Sequence, residues 1–419
     1  MQNQNLKSQF LSTLFDRGFI NDCTDLHGLD LVLMKNESKT AYVGYDATAE
    51  SLHVGHLVNI MMLRWFQKCG GIPITLIGGG TTRVGDPSFR SDERPLLDIS
   101  EIKKNTSSLK AIFKNYIDYN LNKNKALMLD NSNWLPKLNY LDFLREYGKH
   151  FSINRMLSFE SVKTRLDREQ SLSFLEFNYM LLQAYDFYIL NKDYNCLIQF
   201  GGSDQWGNIV SGIELIRKLT SEKSFGLTTP LITTSDGKKM GKSQGQAIWL
   251  KPELLSPYEF WQFWRNTSDQ DVEKFLLLYT EIPLSDCKKY GSLKGALIND
   301  AKILLANKIT ELCHGKDSSY LASKTAENVF KHGEIDINLP TRFINEIDLK
   351  NDIGIIQLFI MSGLVKSGKE AKRLISENGA RINDELIKTP DYRLKSQDFE
   401  NPVKLSAGKK RHVLLKING

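Results

Sequence analysis

The sequence predicts an α/β protein built on a parallel sheet, followed by an all-helical region and a small basic α+β tail. Three observations carry this expectation. Residues 40–80 read strand–helix–strand, a connection that lays its two strands parallel. Residues 258–332 carry helical patterns and no strand signal. The positive charge is gathered at the C-terminal end.

Taken in order, Thr40 to Asp46 is a short β-rich run and Ser51 to Cys69 carries apolar residues at helical spacing. The Gly70–Gly71 pair stops that helix before the apolar run Ile72 to Ile77. Helical patterns follow at 98–120 and 139–149, then a long apolar helix at about 172–190. A buried strand over Cys196–Phe200 runs into GGSDQWGN and a helix ending near 219. The stretch 333–352 is poor in apolar periodicity and reads as a linker. The tail mixes short helices, 355–362 and 367–378, with strand-like pieces ending at His412–Ile417. The expected division is therefore a parallel-sheet domain (1–230), a loop (231–250), a helical domain (251–332), the linker (333–352) and a basic domain (353–419).

At 419 residues the chain exceeds one ordinary core. No apolar stretch approaches the ~18 residues of a membrane span. Met1 to Phe19 lacks the basic start, apolar run and cleavage site of a secretory signal, so the expected compartment is the cytoplasm. The five cysteines are dispersed with no CxxC pair, which argues against a disulfide framework and a thiolate zinc site. The net charge is +6, and Ile355 to Gly419 holds 13 Lys or Arg against 7 Asp or Glu, leaving 42 of each sign elsewhere. A compact basic module suits a nucleic-acid partner, although a solvated surface with a few extra lysines has the same count.

The segment YVGYDATAESLHVGH runs from a strand end into a helix start, where free N–H groups and the helix dipole favour anions. His53 and His56 are three apart and share a helix face, and imidazole N–H groups there suit phosphate oxygens. An HxxH alone is more readily a satisfied surface pair at a helix start. GKKMGKS, residues 237–243, is one residue short of a P-loop and lies between two apolar runs rather than strand and helix. It reads as a lysine-bearing phosphate arm or as an ordinary basic hairpin. Tyr179, Gln183 and Asp186 share one stripe of an otherwise apolar helix, as a polar pocket or as an internally bonded set. GDPS (85–88) and GGSDQWGN (201–208) both follow predicted strands, where glycine admits a ligand to the main chain.

In this order the motifs resemble the class I aminoacyl-tRNA synthetases. His53-Val54-Gly55-His56 looks like the HIGH signature and Lys239-Met240-Gly241-Lys242-Ser243 like KMSKS. The runs YVGYDATAESLHVGH, GDPS, YMLLQAYD and GGSDQWGNI are similar to the bacterial tyrosine branch of that class, and the resemblance spans essentially the whole chain. It implies a Rossmann-like catalytic domain, tyrosine and ATP as substrates with Mg²⁺ on the ATP, no protein-bound metal, tRNA as partner, and a homodimer. It puts Tyr42 and Asp186 on the tyrosine hydroxyl, and Tyr179, Gln183 and Asp86 on the α-ammonium. Thr48, His53 and His56 would meet phosphates, with Lys239 and Lys242 closing over them. Gly44, Gly202 and Asp204 would face the ribose, Asp46 and Gln205 would line the cleft, and Arg90 and Arg94 would lie near pyrophosphate. The tail, especially Leu364 to Ile387, is similar to a small RNA-binding fold first named in a ribosomal protein.

The sequence departs from that pattern at Gly241, where serine is usual and glycine is expected to loosen the loop, and at Val43, Ala47 and Arg83. The chemistry implied needs no protein base, because a carboxylate is already a nucleophile at neutral pH and the work is positioning and charge stabilisation. A tryptophan enzyme shares the architecture, but Tyr42 with Asp186 suits a phenol. A non-catalytic RNA-binding relative would be expected to lack the histidines or lysines. A nucleotidylyltransferase sharing HxGH would not explain the tail.

Overall fold

The computed structural model describes residues 6–35, 37–88, 96–237, 239–243, 246–332, 339–345, 352–408 and 411–417. The chain divides into two compact units, Met1–Leu254 with Ser268–Ala301, and Leu255–Thr267 with Lys302–Gly419.

The first unit is organised by six strands: β1 (Asp22–Cys23), β2 (Thr40–Asp46), β3 (Ile72–Gly78), β4 (Leu127–Asp130), β5 (Cys196–Gly202) and β6 (Phe225–Thr229). Their order is β1-β6-β5-β2-β3-β4, and all pairs are parallel except β1 on β6. From β2 the chain winds outward through β3 and β4, then returns to the other side of β2 for β5 and β6. The reversal between β2 and β5 is a topological switch point, with a crevice at the strands' carboxyl ends. Register there sets Tyr42 opposite both Ile74 and Gln199.

β3, β5 and β6 are buried almost end to end, as expected of parallel strands covered on both faces. The helix Val54–Lys68 supplies Leu57, Ile60, Met61 and Phe66 to the core. Phe66 meets Phe10 at 5.0 Å and Phe200 at 5.5 Å, aromatic pairs worth ~1 kcal/mol each beyond burial. The helix expected from Ser51 starts at Val54 instead, because His53 is extended (φ −119°, ψ 168°) and caps it. The expected helix 98–120 ends at Phe113, and the pocket helix runs Phe174–Tyr194. β4 is a strand that periodicity does not reveal: Leu-Met-Leu-Asp is too short to alternate.

Within the helical stretch, Ser268–Ala301 belongs to the sheet unit. Arg17 donates to the carbonyls of Leu277 (2.9 Å), Thr280 (3.0 Å) and Ile282 (2.6 Å), and Arg64 pairs with Glu281 at 2.7 Å.

In the second unit the tail forms a five-stranded sheet. Glu385–Leu386, Ala380–Ile382, Val403–Ala407 and Arg411–Ile417 are antiparallel neighbours, and Thr341–Ile344 adds in parallel at the edge. That edge strand lies in the stretch expected as linker, with Ile344 buried; residues 333–338 and 346–351 are outside the described residues. The helices Ile355–Met361 and Gly368–Ser376 complete this core with Leu358, Phe359 and Ile375 against Leu405 and Leu415. Lys369, Lys372 and Arg373 remain exposed on the second of them. No described helix is long and apolar enough to cross a membrane.

Candidate active site

The site is assembled where β2, β3, β4 and β5 end. Tyr42, in mid-β2, is enclosed with its ring 5.3 Å from Phe187. Its hydroxyl is buried with no hydrogen-bond partner among the described residues. Burial, with the nearby Asp186 carboxylate adding to it, holds the phenol well above its ordinary ionisation range. Asp186, on the pocket helix, is 2% exposed. Trp134 Nε1 donates to its Oδ1 at 2.7 Å and Asn131 Nδ2 to its Oδ2 at 2.8 Å. Burial pushes its carboxyl up to about 7; the two donors pull it back, and Asp46 and Asp130 add repulsion. A phenol lacking a partner beside a carboxylate fixed by two donors is a receptacle for a group that both donates and accepts.

A polar chain leads from here to the mouth of the site. Asn131 Nδ2 reaches Thr81 Oγ1 (3.0 Å), Thr81 Oγ1 reaches Asp46 Oδ1 (2.8 Å), and the Tyr179 hydroxyl donates to Asp46 Oδ2 (3.0 Å). A second chain runs Gln183–Asn208–Gln205–Asp86, with Asn208 Nδ2 to Gln183 Oε1 at 2.9 Å and Gln205 Nε2 to Asp86 Oδ2 at 2.7 Å. Burial first, then Asp86, pushes the Asp204 carboxyl above its usual range. The structure thus gathers Asp46, Tyr179 and Asp186 in one bonded set, with the Tyr42 hydroxyl beside it, and Asp86, Gln183, Asp204 and Gln205 in another.

At the helix start, His53 Nδ1 accepts the Gly55 N–H (3.1 Å) and His56 Nδ1 accepts the His53 N–H (3.3 Å). Use of both Nδ1 atoms as acceptors selects the neutral tautomers that carry their proton on Nε2, the donor a phosphate oxygen requires. The rings are 4.0 Å apart. The KMSKS-like loop lies against them, its returning leg bound to the helix start by Val54 N–H to Ile248 O (2.9 Å). Gly241 has φ +118°, and a Cβ there would come within 2.8 Å of His53 Nδ1. Glycine at this position therefore does more than loosen the loop, because only glycine allows this approach. Gly55 faces it: a Cβ there would meet Met240 O at 3.0 Å.

Thr48 and Lys239 are exposed beside this region of the chain, and Gly44 is the exposed position of β2. Gly202 ends β5, where a Cβ would strike Asp204 Oδ1. Lys242 has its backbone in a short ribbon, paired with Ala247. Arg90 and Arg94 lie outside the described residues. Sequence reading missed Asn131, Trp134, Thr81 and Asn208. The first two follow β4, so the strand-end rule that marked the other loops would have found them had that strand been recognised.

Residues 34–331 match the family described as tRNA synthetases class I (W and Y). The tyrosine–tRNA ligase of Ruegeria pomeroyi is 58% identical over 412 residues, 98% of this chain and 99% of that protein. That of Brucella abortus is 50% identical over the same proportions. A solved C-terminally truncated mitochondrial tyrosyl-tRNA synthetase of Aspergillus nidulans superposes with a TM-score of 0.70 at 32% identity, covering 77% of this chain and 95% of that one. A switch-point crevice with two capping histidines, a lysine loop laid over them and these matches lead to one assignment: the chain belongs to the class I tRNA synthetases of the tryptophan and tyrosine family.

Proposed function

We propose that this enzyme activates L-tyrosine with ATP and transfers it to the 3′ end of its tRNA. The tyrosine carboxylate attacks the α-phosphorus of ATP, the bond to the β-phosphate oxygen breaks, and tyrosyl-adenylate and pyrophosphate form. A terminal ribose hydroxyl of tRNA then takes the tyrosyl group and AMP leaves. Tyr42 and Asp186 bind the phenol, and Tyr179, Gln183 and Asp86 the ammonium. Thr48, His53 and His56 stabilise charge on the phosphates with Lys239 and Lys242. Gly44, Gly202 and Asp204 face the ribose, Asp46 and Gln205 line the cleft, Arg90 and Arg94 serve pyrophosphate, and ATP enters as its magnesium complex.

The observation that carries this reading is the buried Tyr42 hydroxyl without a partner, beside Asp186. A tyrosine hydroxyl donates to the carboxylate and accepts from Tyr42. An indole N–H only donates, and would leave Tyr42 unanswered, which favours tyrosine over tryptophan. Tyrosine enzymes are the known case of rejecting phenylalanine ~10⁵-fold on this principle, and that magnitude is theirs rather than a consequence of this geometry. ATP–pyrophosphate exchange across a panel of amino acids is the test. Exchange with tryptophan exceeding that with tyrosine would overturn it.

The basic tail is the RNA-binding element, supported by the charge surplus from Ile355 onward and by exposed Lys369, Lys372 and Arg373. Truncation near Lys350 should keep pyrophosphate exchange and lose most tRNA charging; charging at the full-length rate would remove the assignment. A second copy of the chain covers the exposed apolar side chains Tyr140, Leu141, Ile153 and Phe174, which are 58–72% exposed, giving a homodimer in the cytoplasm.

A further inference from the structure

The lysine loop has two legs, and they are held differently. The returning leg is tied to the helix start, with Val54 N–H donating to Ile248 O (2.9 Å) and Leu250 N–H to Leu52 O (2.9 Å), while Ile248 N–H donates to Gly241 O (3.0 Å) within the loop. The outgoing leg, Ile232 to Ser235, pairs with the loop's own return through Met240 N–H to Ile232 O (2.7 Å) and a bridge between Thr233 and Lys239. In an extended segment, alternate residues offer their N–H and C=O groups to opposite sides. The side not used by this pairing is met by two charged side chains. Asp271 Oδ2 accepts the Ser235 N–H at 2.8 Å, and Lys274 Nζ donates to Thr233 O at 2.6 Å.

Asp271 and Lys274 stand three apart at the start of the helix Val272–Tyr279, so both present to one face. Asp271 is 4% exposed, and a carboxylate that buried is worth keeping only where it satisfies a donor. A carboxylate on an N–H and an ammonium on a C=O two residues away act as a substitute strand along the open edge of the leg. Their charge-assisted bonds are stronger than the neutral pairings of a sheet. They leave the leg one position and one register.

We propose that Asp271 and Lys274 are positioning residues for adenylate formation: they set the outgoing leg so that Lys239 and the Gly241 approach to His53 come into place. This rests on the reading that the loop lysines stabilise charge on the ATP phosphates. Neither residue contacts substrate in this scheme; both act through the loop backbone, and tyrosine binding does not depend on them.

Single-turnover formation of tyrosyl-adenylate tests the idea, with tyrosine affinity by equilibrium dialysis and thermal midpoint followed in parallel. Lys274→Met and Asp271→Leu should slow adenylate formation on the order of tenfold to 10²-fold, the scale of an ångström-sized misplacement. Tyrosine affinity should stay within about twofold, because a transition-state contact is lost rather than a ground-state one. Asp271→Asn, which still accepts the Ser235 N–H, should retain most of the rate. In a Lys239→Ala background, Lys274→Met should cost less than it does alone, since part of its effect runs through Lys239. Full-rate Lys274→Met beside a slow Lys239→Ala enzyme would sink the anchor alone. A full-rate Lys239→Ala enzyme would sink the loop-lysine reading and the anchor with it. Tyrosine affinity falling in step with the rate would make both residues merely structural.

Discussion

At the end of the cleft proposed for the phenol, Asp186 and Asn131 are enclosed and each carboxylate oxygen already has a donor; at the loop end, Lys239 and Asp236 are exposed and main-chain bonds do most of the holding. The substrate explains the difference. The phenol is unchanged through the reaction, so its partners are best fixed in advance and dry, where one missing hydroxyl leaves two groups unpaired. The α-phosphorus changes geometry and pyrophosphate departs, so groups acting there must fit the transition state rather than either ground state. Long lysine stems and a glycine that lets the backbone lie against His53 suit that task.

Asp186→Ala strikes this contrast at its strongest point. It strands Asn131 and Trp134 and removes the group proposed to accept the substrate hydroxyl, so kcat/KM for tyrosine should fall on the order of 10³-fold or more, about 4 kcal/mol, typical of breaking a buried charged network. Steady-state pyrophosphate exchange measures it, and a loss under tenfold would mean the carboxylate is structural.

Tyr42→Phe tests the orphaned hydroxyl. Discrimination between tyrosine and phenylalanine should drop by about 1–3 kcal/mol, with thermal stability unchanged or improved because an unsatisfied buried group is gone. An unchanged kcat/KM ratio would take Tyr42 out of the hydroxyl site.

Gly241→Ala probes the other end. A left-handed φ and a 2.8 Å approach to His53 Nδ1 force the loop back. Adenylate formation should slow on the order of tenfold, from about 1–3 kcal/mol of strain, while tyrosine affinity holds. Equal losses in both would erase the contrast between the two ends.

The smallest effect is in pH. With the Asp186 carboxyl raised to about 7, its ionised form is the minority below that value, and on the proposed reading it is this form that binds tyrosine. Tyrosine Kd should therefore rise by about tenfold from pH 8 to pH 6, and Asp186→Asn should flatten the profile. Stability has the opposite sign. A carboxyl with a raised folded-state value lets the native state hold its proton longer, so native stability falls as pH rises from about 4 through 7. A site that favours binding thus weakens the fold.

Much of this arrangement is legible in residue order. Thr40–Ile77 declares strand, helix and strand through periodicity and a Gly–Gly stop, and spacing sets His53 with His56, and Tyr179 with Gln183 and Asp186, on shared helix faces. Such signals survive because spacing along one element fixes which side chains share a face. What the chain could not announce is which distant groups meet. Asn131 and Trp134 lie 55 and 52 residues from Asp186, and Asp271 lies 36 from Ser235. β4 is four residues long, too short for a period, yet its place beside β3 delivers Asn131 to the pocket. Strand order, the switch between β2 and β5, and the edge of the loop met by Asp271 and Lys274 follow from packing the whole sheet, and partner choice for buried polar groups was decided only there.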